Sequence, residues 1–306
     1  MKTAAIIVTY NRKELLLRCI EAVSTQSSLP NAIFIIDNAS TDGTEDLLRD
    51  KGIINRKKLY NGIDIEYHNT KTNGGGSLGF YLGLKLCYER NIFDYFWVMD
   101  DDGEPEHNCL KELLSHSYLG DYLSPIVLDI DDHKYLAFGN DIKAIDYIRS
   151  RSINNSYIPN IANPFNGILY SKEYIKKVGY PKKEMFIWGD EINYDLRARK
   201  CGFIPNIIIS AIHYHPKNRA SLSPYFFIKR KVVFINVKWK MYCRCCNAIY
   251  NYRISNNWTQ IIKEFLLYNY FFAIYMHNIS WLILYNKAFI CGLIGRFGGH
   301  YKYMRK

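Results

Sequence analysis

The sequence predicts an α/β protein in which helices flank a mostly parallel sheet, followed by a basic, aromatic-rich α-helical C-terminal region. Three observations predict this class. Short apolar runs alternate with stretches of helical periodicity, the runs end in polar loops, and the charge of the chain changes after residue 216. Hydrophobic residues make up 48% of the 306 residues and charged residues 23%, which excludes disordered, collagen-like and coiled-coil proteins.

The strand-like runs are apolar on both faces, which is typical of buried parallel strands. They cover residues 4–9, 32–36, 63–67 and 95–99. Apolar positions at helical spacing follow the first three runs. Because ligands bind at the carboxyl ends of parallel strands, the loops after these runs are the expected site.

The pattern weakens between residues 120 and 165 and then returns. We predict further strands at 165–170 and 207–209 and a helix over 193–201. Long aromatic and basic helices are expected beyond residue 224.

The charge is divided unevenly along the chain, whose formal net charge is +11. Residues 1–216 carry 25 basic and 28 acidic side chains, whereas residues 217–306 carry 15 basic side chains and one acid, Glu264. A basic region of this kind binds polyanions, among them nucleic acid, anionic lipid headgroups and phosphorylated lipid carriers. The chain has 26 Tyr, 16 Phe and 5 Trp, which favours sugar stacking or a membrane interface.

Residues 265–294 contain few charges but too many polar residues for a membrane-spanning helix. Their aromatic content and flanking cations fit a helix that lies in the membrane interface. The alternative is that these aromatics pack against the preceding domain.

The N-terminal apolar run is too short for the hydrophobic part of a signal peptide, so we expect the fold to start with the chain. Eight Cys lack the spacing of a disulfide framework. Both observations favour a reducing, cytoplasmic location.

Three adjacent carboxylates, Asp100, Asp101 and Asp102, follow the fourth strand-like run. They repel one another unless a cation lies among them, and carboxylate oxygens suit Mg²⁺ or Mn²⁺. Such an ion would neutralise a leaving diphosphate. The alternative is a solvated acidic turn.

Other polar segments carry weaker signals. The run Asn73-Gly74-Gly75-Gly76 before a helix lets the backbone approach a diphosphate or ribose. The segment with Trp188, Asp190 and Glu191 places two carboxylates beside an aromatic side chain. Inverting sugar transfer requires one base near the acceptor hydroxyl and an aromatic face for the sugar. One of two histidines at a later strand end, His213 or His215, is a further metal-ligand candidate.

Taken together, these segments resemble a family 2 glycosyltransferase of GT-A fold. The resemblance covers residues 3–235 and rests on the ordered set 8–12 (VTYNR), 37–43 (DNASTDG), 73–76 (NGGG) and 99–102 (MDDD). Residues 186–198 are similar to the branch with bacterial galactofuranosyltransferases and rhamnosyltransferases.

The resemblance implies a role for each matching residue. Asp100 and Asp102 would hold Mn²⁺ or Mg²⁺ with His215 as third ligand, His213 being the alternative. The family's base is the second acid of a pair, which is Glu191 in this chain. Many members have Asp at that second position, so Asp190 is a rival. Thr9 and Tyr10 would border the nucleotide, Asp37 would contact its base, Trp188 would face sugar or acceptor, and the nucleotide-sugar site would also include Arg12, Asn73, Gly74, Gly75, Asp100 and Asp101.

The resemblance implies a nucleotide-sugar-binding GT-A catalytic domain, which the charge pattern bounds at residues 1–216. The basic charge indicates a region for membrane or acceptor association at 217–306. The expected reaction is inverting transfer of galactofuranose from UDP-galactofuranose to a lipid-linked glycan such as O-antigen or capsule, with dTDP-rhamnose as the alternative donor. The enzyme would lie peripherally on the inner face of the cell membrane. A nucleic-acid-binding protein and a non-catalytic binding subunit are the alternatives of another class.

Overall fold

The computed structural model describes residues 1–54, 60–139, 141–217, 222–224 and 231–304. The predicted C-terminal region thus includes residues 218–221, 225–230 and 305–306, which lie outside the described residues. The chain divides into two compact units. The first comprises Met1–Pro181 and Arg197–Asn218, and the second comprises Lys182–Leu196 and Arg219–Lys306.

The first unit is a sheet with helices between its strands. The strands are β1 (Thr3–Thr9), β2 (Ala32–Asp37), β3 (Asp64–Asn69), β4 (Tyr95–Asp100), β5 (Glu104–Pro105), β6 (Tyr122–Asp129), β7 (Tyr157–Pro159), β8 (Asn166–Ser171) and β9 (Asn206–His215). The helices are α1 (Lys13–Ser24), α2 (Thr44–Asp50), α3 (Gly75–Glu89), α4 (Cys109–Ser115), α5 (Ala144–Arg151) and α6 (Lys172–Val178). Helix α7 (Asp190–Lys200) contains the boundary between the units.

The strand order is β3-β2-β1-β4-β8-β6-β9-β5, and β7 pairs with β9. Pairing is parallel from β3 to β4, as the alternation of strands and helices predicts. From β4 onward the sheet is mixed, because β8 runs antiparallel to both β4 and β6. The α/β class with flanking helices is confirmed, and the parallel part of the sheet is confined mainly to the first four strands.

Strand β1 is buried over its whole length because helices cover both of its faces. Ala5 and Ile7 share a core with Leu16 and Ile20 of α1. On the other face, α3 packs against β1 and β2. The continuous apolar run at residues 4–9 is therefore explained by burial on two sides.

Glycine in α3 permits this close approach. A Cβ on Gly83 would lie 2.4 Å from Cγ2 of Ile6 and 3.2 Å from Cγ1 of Ile36. Real side chains do not tolerate such distances, so the helix backbone lies directly on the strands. The position of α3 fixes its N-terminal turn, which contains the glycine run.

The second unit is mainly helical. Besides the first part of α7 it contains a two-stranded sheet, β10 (Leu222–Pro224) and β11 (Lys231–Val233), and the helices α8 (Lys238–Ile254), α9 (Trp258–Tyr270), α10 (Ile279–Ile294) and α11 (Tyr301–Met304). A π-helical turn, Phe271–Tyr275, follows α9. The predicted helical C-terminal region is confirmed.

Aromatic packing forms the core of the second unit. Tyr268 stacks on Tyr285 with ring centroids 5.1 Å apart, and Phe272 stacks on Trp281. Many aromatics of residues 265–294 are thus structural. In the part of the chain that the structure describes, no helix has the length and hydropathy needed to cross a membrane.

We predict that Gly83→Ala lowers the free energy of unfolding by about 1–3 kcal/mol, because the added methyl group overpacks α3 against Ile6. Urea denaturation followed by circular dichroism measures the change. Gly76→Ala in the same helix is the matched control, since its Cβ would meet only Phe80 at 3.8 Å. Equal stability of the Gly83 variant and the wild type would contradict the packing.

Candidate functional site

The parallel strands bring three polar segments side by side. Thr9 at the end of β1 is in register with Asp37 at the end of β2, and Val8 is in register with Asp100 of β4. The expectation that these strand ends share one edge of the sheet is met by this register.

The aspartate triplet does not face bulk water as a whole. Asp101 is buried, and the Thr9 hydroxyl donates a hydrogen bond of 2.7 Å to it. Nη1 of Arg12 lies 3.2 Å from Asp101 Oδ1 and 2.6 Å from Asp102 Oδ2. Burial raises the pKa of Asp101 to about 6 although Arg12 opposes the shift. A single guanidinium therefore offsets much of the carboxylate repulsion.

Asp102 also meets a histidine of another strand. His215 Nε2 at the end of β9 lies 3.2 Å from Asp102 Oδ1. Burial acts to raise the pKa of Asp102, but the hydrogen bond and charge of His215, together with Arg12, bring it below its usual value. The last Asp of the triplet is therefore held as a carboxylate beside an imidazole.

His213 has different surroundings. It is fully buried, and burial lowers its pKa to about 3. Its ring fills the space beside two glycines, because a Cβ on Gly103 would lie 2.1 Å from Nε2 and a Cβ on Gly167 2.8 Å from Nδ1. This geometry favours His215 over His213 as a ligand candidate.

Asp102 and His215 combine a carboxylate oxygen and an imidazole nitrogen, a donor set that suits Mn²⁺. Within the described ranges, no group of three or more His, Cys, Asp or Glu side chains is arranged around a common point. Arg12 lies on the carboxylates instead, so Asp102 and His215 fit the ion as a pair and a third ligand stays a prediction.

Two further predicted positions are tied into local turns. The Asp37 carboxylate accepts hydrogen bonds from the Ser40 N–H at 2.8 Å and from the Tyr67 hydroxyl. The Asn73 side chain accepts from the Gly75 N–H at 2.8 Å, which shapes the turn into α3. Gly75 has a φ of +74°, a left-handed conformation that favours glycine. Tyr10, the residue after Thr9, is 43% exposed.

The acidic pair belongs to the second unit, at the start of α7. Asp190 is buried, whereas Glu191 is partly exposed. Oε2 of Glu191 accepts a hydrogen bond of 2.8 Å from the Gly189 N–H. Lys240 Nζ lies 5.7 Å from the centroid of the Trp188 ring. Of the two acids, Glu191 is the one that solvent reaches.

The backbone before this pair has an unusual conformation. Phe186, Trp188 and Gly189 have φ values of +67°, +59° and +89°. Bulky residues at positive φ carry strain of about 1–3 kcal/mol each and persist only where the surroundings hold them.

Two asparagines of α8 hold this segment. The Asn247 amide donates to the carbonyls of Met185, Ile187 and Trp188 at 2.8, 3.0 and 2.8 Å. One turn later the Asn251 amide donates to the Gly189 carbonyl at 2.7 Å. Both side chains are buried, so α8 fixes the backbone that carries the acidic pair.

Sequence reasoning missed Asn247, Asn251 and Tyr67. The two asparagines stand one helical turn apart in the cysteine- and aromatic-rich helix α8, and that polar pair is the signal that indicates an internal partner. Nothing in the sequence marks which backbone they bind.

We predict that Asn247→Ala lowers the free energy of unfolding by about 2–4 kcal/mol, because three carbonyls in a strained segment lose their donor. Thermal and urea denaturation measure the loss. The control is Asn269→Ala in the same unit, whose half-buried amide bonds Phe265 O and Asn286. Because Asn286 keeps the Leu282 carbonyl as an acceptor, this removal costs less than about 1 kcal/mol. Equal effects of the two substitutions would contradict the role of Asn247.

Comparison with known proteins finds related sequences and folds. A galactofuranosyltransferase, GlfT1 of Mycolicibacterium smegmatis, is 28% identical over 230 residues, which is 72% of each chain. The crystal structure of S. aureus TarS 1-349 has a TM-score of 0.55 at 14% identity and covers 97% of this chain and 82% of that one.

A crystal structure of GalNAc-T7 with UDP, GalNAc and Mn²⁺ has a TM-score of 0.56 at 13% identity, covering 83% of this chain and 48% of that one. These likenesses show the GT-A fold. The family model for glycosyl transferase family 2 matches residues 4–179, which is more than half of the chain and includes the parallel strands β1 to β4 except Thr3. This chain therefore belongs to glycosyl transferase family 2.

Proposed function

We propose that this glycosyltransferase transfers galactofuranose from UDP-galactofuranose, with inversion, to a lipid-linked glycan such as O-antigen or capsule. The observation that carries the proposal is the meeting of Asp102 with His215 beside the buried Asp101, at the strand ends where the nucleotide site is expected. The 28% identity to a galactofuranosyltransferase supports the choice of donor. A rhamnosyltransferase that uses dTDP-rhamnose is the alternative within the same family.

The first unit binds the donor in this proposal. The backbone N–H groups at the start of α3 and the exposed edge of Arg12 would donate hydrogen bonds to the diphosphate of the donor. Thr9 and Asp37 line the nucleotide site as structural members, because their polar atoms already hold Asp101, Ser40 and Tyr67. The Arg12 side chain is 49% exposed, so its guanidinium has room to rotate from the carboxylates of Asp101 and Asp102 to a phosphate of the donor.

A divalent ion, when bound, would supply charge that offsets the leaving nucleoside diphosphate. Asp102 and His215 would hold it, with Asp100 as the third predicted ligand. The neighbouring Asp101 is buried, so water is excluded beside this position and charges attract one another more strongly there than in bulk water.

The second unit supplies the proton acceptor. The acceptor hydroxyl gives its proton to Glu191 while its oxygen attacks the anomeric carbon and the bond to the diphosphate breaks. The hydrogen bond from the Gly189 N–H orients the Glu191 carboxylate and leaves its other oxygen for the proton. Asp190 is buried next to it and is the rival base.

We infer a cytoplasmic location on the inner face of the cell membrane, where nucleotide sugars and lipid-linked acceptors meet. The support is the basic C-terminal region, residues 217–306, which carries 15 cations and one acid. Anionic lipid and a phosphorylated lipid carrier are the polyanions that this location offers.

The proposal is tested by incubating the purified chain with Mn²⁺, membrane extract and single nucleotide sugars, and by reading products by mass. We expect transfer from UDP-galactofuranose and little from the other donors. Transfer from dTDP-rhamnose alone would replace the donor. The absence of both transfer and hydrolysis with every donor would overturn the proposal. Retention of RNA instead would favour a nucleic-acid-binding protein.

We predict that Asp102→Asn weakens Mn²⁺-dependent UDP binding at least about ten-fold, because an amide is a poorer ligand than a carboxylate. Isothermal titration with UDP, with and without Mn²⁺, measures the effect. The control is Asp64→Asn, an exposed Asp on β3. Unchanged Mn²⁺-dependent affinity in the Asp102 variant would refute its role as a metal ligand.

We predict that Glu191→Gln lowers kcat about 10²–10⁴-fold and leaves UDP affinity unchanged, because only the proton acceptor is lost. Steady-state transfer assays together with UDP titration separate the two effects. Glu184→Gln, an exposed Glu of the same unit, is the control. An active Glu191 variant and an inactive Asp190→Asn variant would assign the base to Asp190.

A further inference from the structure

We propose that the second unit docks onto an anionic phospholipid bilayer through one face of α9 and α10, which we name the outer face. It is made of large apolar residues that are 49–62% exposed, namely Trp258, Ile262, Leu266, Ile283, Ile290 and Ile294. Isoleucine and leucine are among the residues that proteins most often bury. A row of them on neighbouring helices is therefore typical of an interaction surface.

Helical spacing places these residues on one side of each helix. In α9 they recur every fourth residue from Trp258 to Leu266, while Ile261 and Tyr268 face the core. In α10 Ile283, Ile290 and Ile294 share a side, and Leu284 and Tyr285 face the core. Each helix thus has two apolar sides, of which packing within the unit uses one.

The two rows lie on one pair of packed helices. Phe265 and Phe289 have ring centroids 4.9 Å apart, and the Asn286 amide donates to Asn269 Oδ1 at 2.8 Å. These contacts join the half-buried edges of α9 and α10, next to Leu266 and Ile290 in their helices. The apolar residues therefore belong to a single two-helix layer.

Charge identifies the partner. Between residues 232 and 304, where side chains are described, the acidic side chain is Glu264, which is 8% exposed and has Arg244 Nη1 3.6 Å from its carboxylate. The exposed surface of this segment consequently presents cations without acids. Lys263 follows Ile262, and Lys287 stands between Ile283 and Ile290 on the same side of α10; both are exposed. Anionic headgroups complement such a face, each Lys adding about a five-fold gain in binding.

Other occupants fit less well. A second copy of the chain would bring two sets of like charges together. Nucleic acid is bound by arginine and stacking aromatics, whereas the outer face offers mainly branched aliphatic side chains. Neither α9 nor α10 meets the requirements for crossing a bilayer, so the layer would lie in the plane of the interface.

The proposal rests on the proposed function, in which the acceptor is lipid-linked, but its test needs no sugar donor. Full-length protein is sedimented with vesicles of phosphatidylglycerol and phosphatidylethanolamine, and in parallel with vesicles of phosphatidylcholine alone. We expect binding to the anionic vesicles that weakens as salt rises from about 0.1 M to about 1 M. Transfer activity on a soluble acceptor analogue, measured separately, tests the function.

Matched variants locate the surface. Ile283→Ser with Ile290→Ser should lower vesicle binding about ten-fold or more, because two side chains no longer enter the acyl boundary. The control pair is Ile92→Ser with Ile204→Ser in the first unit, which are 53% and 54% exposed. Lys287→Gln should lower binding about five-fold at low salt, and Lys111→Gln, exposed in the first unit, should not. Circular dichroism melting confirms that all variants fold.

Several results would overturn the proposal. They are equal binding to neutral and anionic vesicles, equal losses in the Ile283/Ile290 and Ile92/Ile204 pairs, and release from vesicles by competing RNA. A wild-type dimer in analytical ultracentrifugation that the Ile283/Ile290 variant lacks would make the outer face an interface between copies. Vesicle binding without transfer from any donor would uphold the membrane surface and reject the proposed enzyme.

Discussion

The arrangement of the first unit depends on compensating three adjacent carboxylates at the end of β4. Like charges on adjacent residues repel one another, and in a partly buried site this repulsion costs several kcal/mol. The chain meets this cost with Arg12 from the loop after β1, His215 from the end of β9 and a hydroxyl from Thr9. The partners come from two segments, the end of β1 with the loop after it and the end of β9, so the triplet also ties these segments together.

A second constraint operates in the other unit. The strained backbone from Phe186 to Gly189 is held by hydrogen bonds from Asn247 and Asn251, which lie on α8. Gly189 is required there because a Cβ would lie 3.2 Å from the Asn247 Cβ, besides the positive φ. The helical C-terminal region thus has a structural role, since it determines the backbone that carries Glu191.

Local patterns were sufficient for the first four strands, because burial on both faces leaves continuous apolar runs. They were insufficient between residues 120 and 165. There β6 contains Pro125, and its pairing with β9 shifts register beside that residue, so the strand lacks a regular signature. In the site, motif order indicated Asp100–Asp102, and the resemblance indicated His215 with His213 as the alternative. Contacts between distant segments, such as Arg12 with Asp102 or Asn247 with Ile187, follow from tertiary packing alone.

The distribution of acids along the chain distinguishes the first 216 residues from the C-terminal region. The first 216 residues hold 28 of the 29 acids, and these include the triplet that orders the strand-end site. The last acid, Glu264, is buried beside Arg244, whose guanidinium lies 5.1 Å from the centroid of the Tyr268 ring. Removing that acid from the surface costs desolvation, which the pairing offsets only in part. As a result, the exposed charges of residues 232–304 are all positive. A surface of one sign favours binding to an extended anionic partner and does not help folding.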